Sequence, residues 1–537
     1  MPPIGPAVRA ALQATTLEIA RAEKAYDALV IGAGATGGLA ALLLVEAGLR
    51  VLVLDAGVPR SPIRTFSRRF IHRAGRKLLG AAAPRVLHRV LNSSLGRSVM
   101  AWRQHIQCDC YAWALAPEQF VDDVDCPYSI SPDQPFRWLR SRQLGGRMVI
   151  PGHGRQYYRL AVADMDPTDG RSPVWPLRTG ELDKWYEDVE RRLGLSGMPE
   201  HIPWQPASLL SNVLEFAPSE EALRRSIIAR WPNARPILGC SAPPLDCLED
   251  AARTGRLLVR QGAIARQIEV DSAGHVKSVV WIDHDSRSEI RSFSPIVFLC
   301  ASALESTRLL LLSRSAQNPE GLGAGSGALG RNLMDHLRVS AEGIAPPLTQ
   351  GASEDGGRCL YSPRFDAREY SGPPLGRGFG VQFYHSTEVG KRTHFIATSF
   401  GEMLPRPENQ VTIDWNRKDA WGIPVLRINC SHGSEDLDHA REQINALREL
   451  ADAICGTLSH LDLAPAPPGS ANHECGTARM GDSPATSVLD PCNECWEARG
   501  LYLTDGACLP SQGAQNPTLT LLALTARACD HALRKMR

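Results

Sequence analysis

The stretch "YDALVIGAGATGGLAALLLVEAGLRVLVLDAG", residues 26–57, restricts what this chain can fold into more than any other. Ala28 to Ile31 is a short apolar strand signal, and Gly32, Gly34 and Gly37 follow with the spacing G-x-G-x-x-G. Leu39 to Ala47 reads as a helix closed by Gly48, and Arg50 to Leu54 as a second strand ending at Asp55. Each glycine has a physical task in such a unit. Gly32 permits a tight turn, Gly34 lets the backbone approach a pyrophosphate, and Gly37 lets helix and strand pack closely. The helix N-terminus then presents N–H groups and a positive dipole end to the phosphates. Asp55 stands where a carboxylate takes both ribose hydroxyls and repels a 2′-phosphate. The stretch predicts dinucleotide binding, argues against NADP and leaves NAD and FAD open.

A length of 537 residues exceeds one ordinary core, so about two or three structural lobes are expected. A hydrophobic fraction of 43% with 22% charged residues is that of a soluble globular protein. The net charge of +1 provides no long-range field toward nucleic acid or an anionic membrane, and neither is expected as a partner. Residues 1–25 carry Arg9, Glu18, Arg21, Glu23 and Lys24 without a compact apolar block, which is not the pattern of a signal peptide. Glu46 and Arg50 interrupt the longest apolar runs, so no segment is expected to span a bilayer and the expected address is the cytosol. Without an export signal, the 14 cysteines read as reduced thiols. Cys108-x-Cys110 and Cys492-x-x-Cys495 together have the ligand number of a zinc site, but the expectation is no metal.

A fingerprint so near the N-terminus needs later strands to complete its sheet. Residues 256–270, "RLLVRQGAIARQIEV", and 295–312, "PIVFLCASALESTRLLLL", read as further strands of the same sheet. Ala263 in the first is expected at the cofactor. The second is a strand, an Ala301-Ser302-Ala303 turn and a helix, and the turn either sits over the cofactor or is ordinary packing. Near the C-terminus, "NHECGTARMG" (472–481) and "LTDGACLPSQGAQNPTLT" (503–520) read as loops serving a site. Thr518 to Ala532 reads as a helix, with Pro517 in its first turn and Asn516 at the cap. Its N-terminus would stabilise negative charge building on a reduced ring.

Taken in order, these pieces resemble the glucose–methanol–choline (GMC) oxidoreductases, FAD-dependent alcohol oxidases and dehydrogenases. The Gly32 fingerprint, "CASALESTRLLLLS" (300–313), "LGRNLMDHL" (329–337), "HECGTARMG" (473–481), "LYLTDGACLP" (501–510) and "NPTLTLLALTARA" (516–528) carry the likeness across nearly the whole chain. Residues 142–160 and 174–197 are similar to the sugar-oxidising branch. The resemblance implies a mixed α/β fold, with a Rossmann-like FAD-binding domain interleaved with an antiparallel-sheet substrate cap. It places FAD-binding parts at 26–160, 256–337 and 461–537, a helical joining segment at 161–255 and the substrate sheet at 338–460. His473 corresponds to the family's active-site histidine and Asn516 to its partner. Gly146 and Arg147 belong to a flavin-facing loop, Asp505 and Gly506 lie against the flavin, and Pro517 and Thr518 lie near its ring. His336 in "MDHL" also matches and reads as structural. The family usually has Glu at Asp55, Gly at Ser302 and Pro at Thr307. Relatives often show His and Trp at Ile150 and Pro151; some tether the flavin through that His, so Ile150 implies non-covalent FAD, with His153 close by.

Oxidising an alcohol removes a proton from oxygen and a hydride from carbon. A neutral imidazole suits the proton near pH 7, which makes His473 the base, and the Asn516 amide would hold the same hydroxyl. Phe379, Phe383, Tyr384, Trp415 and Trp421 either stack on a sugar ring or fill a sheet core. The acidic run Asp122, Asp123, Asp125 either attracts a cationic substrate or is simply solvated. The expected substrate is a sugar or glycoside alcohol, with O2 or an electron carrier as acceptor. The pattern is most similar to oxidases that convert the 6′-hydroxymethyl group of aminoglycoside intermediates such as paromamine to an aldehyde. The alternatives are a glucoside 3-dehydrogenase or pyranose oxidase-like enzyme, an NAD-dependent dehydrogenase, and a non-catalytic FAD-binding protein.

Overall fold

The computed structural model describes Val8, residues 26–58 and 102–537, apart from positions 111, 114–115, 151–155, 168–169, 200–201, 203–204, 244–245, 348–357, 369–376 and 388–391. The expectations placed on residues 1–25, Pro151 and His153 lie outside the described residues. The fingerprint builds a six-stranded sheet. In spatial order its strands are Glu494–Cys495, Ala498–Leu503, Val297–Leu299, Ala28–Ile31, Val51–Asp55 and Leu257–Gln261. All neighbouring pairs are parallel except the outermost one at Glu494–Cys495. Strands covered on both faces should be apolar throughout, and Ala28–Ile31, Val51–Asp55 and Val297–Leu299 are buried at every residue. The helix Ala35–Glu46 is likewise buried around most of its circumference, because it packs both on the sheet and against the C-terminal helix Thr518–Met536. That contact brings the two ends of the described chain together.

The second large sheet is antiparallel. Its order is Thr457–Leu461, Leu337–Ala345, Thr393–Gly401, Phe379–Thr387, Cys359–Ser362 and Ile237–Leu238. Alternation gives it two unlike faces. Val339, Ala341, Val381, Phe383, Phe395 and Ala397 pack into one apolar core with Ala440, Ile444, Leu447 and Leu450 of the helix Ser434–Ala453. Arg338, Ser340, Glu342, Gln382, Tyr384 and Thr398 face the other way, into the central cavity. The fold is the mixed α/β architecture expected from the sequence, with a mainly parallel sheet and an antiparallel sheet drawn from interleaved segments.

One strand expectation is corrected. Leu257–Gln261 joins the parallel sheet, but Ala263–Val270 does not. The backbone turns at Gly262, whose φ of +70° is readily reached only by glycine, and the following strand enters a separate three-stranded antiparallel sheet. Gln410–Lys418 pairs with Pro424–Asn429 in another small sheet, outside the six-stranded antiparallel one. Phe379 and Phe383 are core residues, and Trp415 is exposed beneath Arg314, so of these four Tyr384 is the one that lines the cavity. Trp421 lies outside the cavity wall, beside Arg142 and Arg287. Asp122 and Asp125 pair with Arg103, while Asp123 is buried, accepting from Gln107, so the acidic run is structural.

Candidate active site

A cavity of about 1130 Å³ runs between the two large sheets. On the nucleotide side Gly32, Gly34, Asp55, Gly146, Arg147, Ala263, Asp505, Gly506, Pro517 and Thr518 all line it. Gly37 does not. A Cβ there would stand 1.9 Å from the Gly32 carbonyl oxygen, so this glycine sets the close packing of helix on turn. At Gly34 an added Cβ would meet nothing within 4 Å, and the helix it begins has no side-chain cap. Asp55 is buried; Oδ2 accepts from the Ala33 N–H at 2.9 Å and Oδ1 from the Gly57 N–H at 2.8 Å. Its burial raises the carboxyl above the usual range.

These features fit FAD. The N–H groups at the start of Ala35–Glu46 are placed for a pyrophosphate. Beside Asp55, Ile264, Leu312 and Ile423 form an apolar wall suited to adenine, which the sequence did not single out. The buried acceptors Gln143 Oε1, Asn472 Oδ1 and Glu474 Oε1 stand on the cavity wall with no hydrogen-bond partner among the described residues. A flavin and its ribityl chain carry donors for such atoms. Arg147 is held across this wall by the Asn472 carbonyl at 2.9 Å and Glu474 Oε2 at 3.1 Å. Asp505 caps the short turn Gly506–Cys508 through the Ala507 N–H, and burial pushes its carboxyl up to about 6. Ile150 is buried in an apolar cluster with Cys108, Cys110 and Trp113. Among the described residues no group of three or more His, Cys, Asp or Glu is placed to hold a metal ion, and no helix is long and apolar enough to cross a membrane.

At the junction with the antiparallel sheet the structure brings His473 and Asn516 together, with Asn516 Nδ2 3.3 Å from His473 Nε2. Asn516 does not cap the C-terminal helix. That helix starts at Thr518 with Pro517 in the cap position and no side-chain cap, because the Asn516 amide is drawn into the cavity instead. One fixed acceptor orders the protons here. The Gly513 carbonyl can only accept, and His336 Nε2 lies 2.9 Å from it, so that nitrogen carries a proton. Burial pushes the His336 pKa down to about 4, so the ring is neutral and its Nδ1 is bare. His473 Nδ1, 2.8 Å away, must donate to it, which leaves His473 Nε2 as an acceptor facing the cavity. Gln382 Nε2 donates to Asn516 Oδ1 at 2.7 Å, which turns the amide so that Nδ2 donates to that same Nε2. A distance of 3.3 Å is long for such a bond and leaves room for a hydroxyl to enter between the two groups.

The backbone of His473 is fixed by Asp335, whose Oδ1 accepts its N–H at 2.9 Å while Oδ2 accepts from Gly469 and Ala471. Burial and the neighbouring Glu474 push Asp335 up to about 6. Phe400 packs against both histidines, its ring centroid 5.6 Å from that of His473. Sequence reasoning read His336 as structural, and the geometry puts it in direct contact with His473. Asp335 and His336 are adjacent in "LGRNLMDHL", so a signal was present there. Gln382 lies inside an ordinary strand pattern and carried none.

Residues 405–525 match the family model described as GMC oxidoreductase. Over that C-terminal part the chain is similar to the GMC oxidoreductases, and with the relatives that follow the match supports an FAD-dependent oxidoreductase acting on alcohols. It is 27% identical to 2-methyl-1,2-propanediol dehydrogenase of Mycolicibacterium austroafricanum, over 95% of each chain. It is 26% identical to 6'''-hydroxyparomomycin C oxidase of Streptomyces lividus, covering 100% of this chain and 94% of that protein. Paromamine 6'-oxidase of Streptomyces fradiae is 25% identical, covering 96% and 91%. The solved structure of pyridoxine 4-oxidase from Mesorbium loti shares the fold with a TM-score of 0.61 at 18% identity, covering 94% of this chain and 98% of that one.

Proposed function

We propose that this enzyme oxidises a hydroxyl of a sugar or glycoside to a carbonyl, with His473 as the base and Asn516 as the residue that orients the hydroxyl. The observation that carries this is the approach of His473 Nε2 and the Asn516 amide to 3.3 Å on the cavity wall. Bound FAD would supply the hydride acceptor. The alcohol enters between imidazole and amide, and its O–H donates to Nε2 while Asn516 Nδ2 donates to the oxygen. As the C–H bond breaks, the hydroxyl proton moves to Nε2. His473 then carries protons on both nitrogens, and its Nδ1–H remains held by His336. Base assistance of this kind is worth about 10²–10⁴ in rate. Asn516 restricts the carbinol to one orientation, so less entropy is lost in reaching the transition state.

The polar sheet face supports a hydroxyl-rich substrate, because Ser340, Gln382, Tyr384 and Thr398 offer donors and acceptors in adjacent rows. The narrower reading is the 6′-hydroxymethyl group of an aminoglycoside intermediate such as paromamine, in antibiotic biosynthesis. The similarity to two proteins named as oxidases of such compounds supports it. Non-covalent FAD is favoured by Ile150, a buried side chain with no nucleophile. The electrons leave to O2 or to a carrier. An anaerobic screen of sugars and aminoglycosides tests the function: the flavin of the holoenzyme is expected to bleach with members of this set. Bleaching by simple aliphatic alcohols alone would overturn it.

A further inference from the structure

The substrate-side wall carries two charges that the described residues leave unmatched. Five of the six arginines lining the cavity have a carboxylate within 3.6 Å, Arg147 with Glu474 and Arg142 with Glu305 among them. Arg338 is the sixth. It pairs with no carboxylate among the described residues, and its Nε is buried without a hydrogen-bond partner. Glu342, four residues on, is exposed, lines the same cavity and pairs with no cation among the described residues. Both stand on the strand Leu337–Ala345, on its polar side together with Ser340.

Register orders them relative to the chemistry. Arg338 is opposite Phe400, whose ring packs against His473. Ser340 is opposite Thr398, which in turn faces Gln382, the residue bonded to Asn516. Glu342 is opposite Ile396, which is 46% exposed, so its row is the outermost of the three. Four residues of a strand advance about 13 Å. The Arg338 backbone therefore stands in the row of the reacting end and that of Glu342 about 13 Å outward.

Resting on the sugar or glycoside reading above, we propose that Arg338 and Glu342 set the polarity of the substrate along the cavity. Arg338 presents donors only, and it hydrogen-bonds the oxygens beside the reacting carbon. Glu342 takes an ammonium group on the remote part of the molecule. The substrate class is an amino glycoside longer than one ring, whose reacting carbon is flanked by oxygens and whose remote ring carries amino groups toward the mouth.

The test compares paromamine with the neutral two-ring glycoside maltose as reductants of the holoenzyme flavin, without oxygen, in the wild type and in Glu342→Gln. The wild type is expected to half-saturate at lower paromamine than maltose, and the gap is expected to narrow with added salt. Glu342→Gln is expected to reduce that preference about tenfold. Arg338→Gln, measured alongside, is expected to raise half-saturation for both compounds. An unchanged preference in Glu342→Gln, or tighter saturation by maltose in the wild type, would overturn this assignment and leave the function standing. Failure of every glycoside to bleach the flavin would overturn both.

Discussion

His336 donates to the Gly513 carbonyl and accepts from His473, so its removal frees the His473 imidazole to change tautomer. His336→Ala is expected to slow flavin reduction about a hundredfold at unchanged FAD content, within the range of a lost base. His336→Gln, still able to donate at one end and accept at the other, should recover part of the rate. Its folded pKa of about 4 lies below the ordinary 6.5, so the unfolded chain binds more protons between these values. The stability it contributes is complete above pH 6.5 and is lost as pH falls through about 4. Ser302 raises a different matter. Its φ of +78° and ψ of 145° belong to a region almost reserved for glycine. Ser302→Gly relieves that strain, and thermal unfolding should show a gain of about 1 kcal/mol.

The loop before the C-terminal helix holds the site at the level of elements. Glu402, at the end of the strand Thr393–Gly401, accepts from the Gln512 and Gly513 N–H groups at 3.2 Å each, behind the carbonyl that orients His336. Burial, with Asp164 nearby, pushes Glu402 from the ordinary 4.5 up to about 7. The folded state therefore binds the extra proton. Its contribution is full below pH 4.5 and is lost as pH rises through about 7. Unfolding midpoints should decline less over that window in Glu402→Gln than in the wild type, and parallel declines would contradict this role. Elements were readable where local pattern coincides with environment, as in the fully buried strands Ala28–Ile31 and Val51–Asp55. They were misread where one residue redirects the chain: Gly262 sends Ala263–Val270 to another sheet. Asn516 suited a helix cap by type, but Gln382, 134 positions away, turns its amide toward His473. No local pattern reports a partner so distant, and the same holds for Arg338 and Glu342, whose meaning lies in the lack of a counter-ion among the described residues.

Across the whole molecule, the first helix of the nucleotide unit packs against the last helix of the chain, and the cavity wall draws on residues from Ile31 to Leu521. Binding of FAD and placement of His473 are therefore coupled to one tertiary assembly. If the flavin is non-covalent, mass spectrometry of the denatured protein should give the mass of the bare chain and release intact FAD. A chain heavier by one FAD would contradict that. The central claim is that His473 and Asn516 hold one hydroxyl while its proton passes to Nε2. Its most direct measurement is anaerobic stopped-flow reduction of bound flavin by a bleaching sugar or glycoside, in wild type and in His473→Ala with matched FAD content. The rate in His473→Ala should be about 10²–10⁴ lower. A rate close to the wild type would remove His473 from the chemistry.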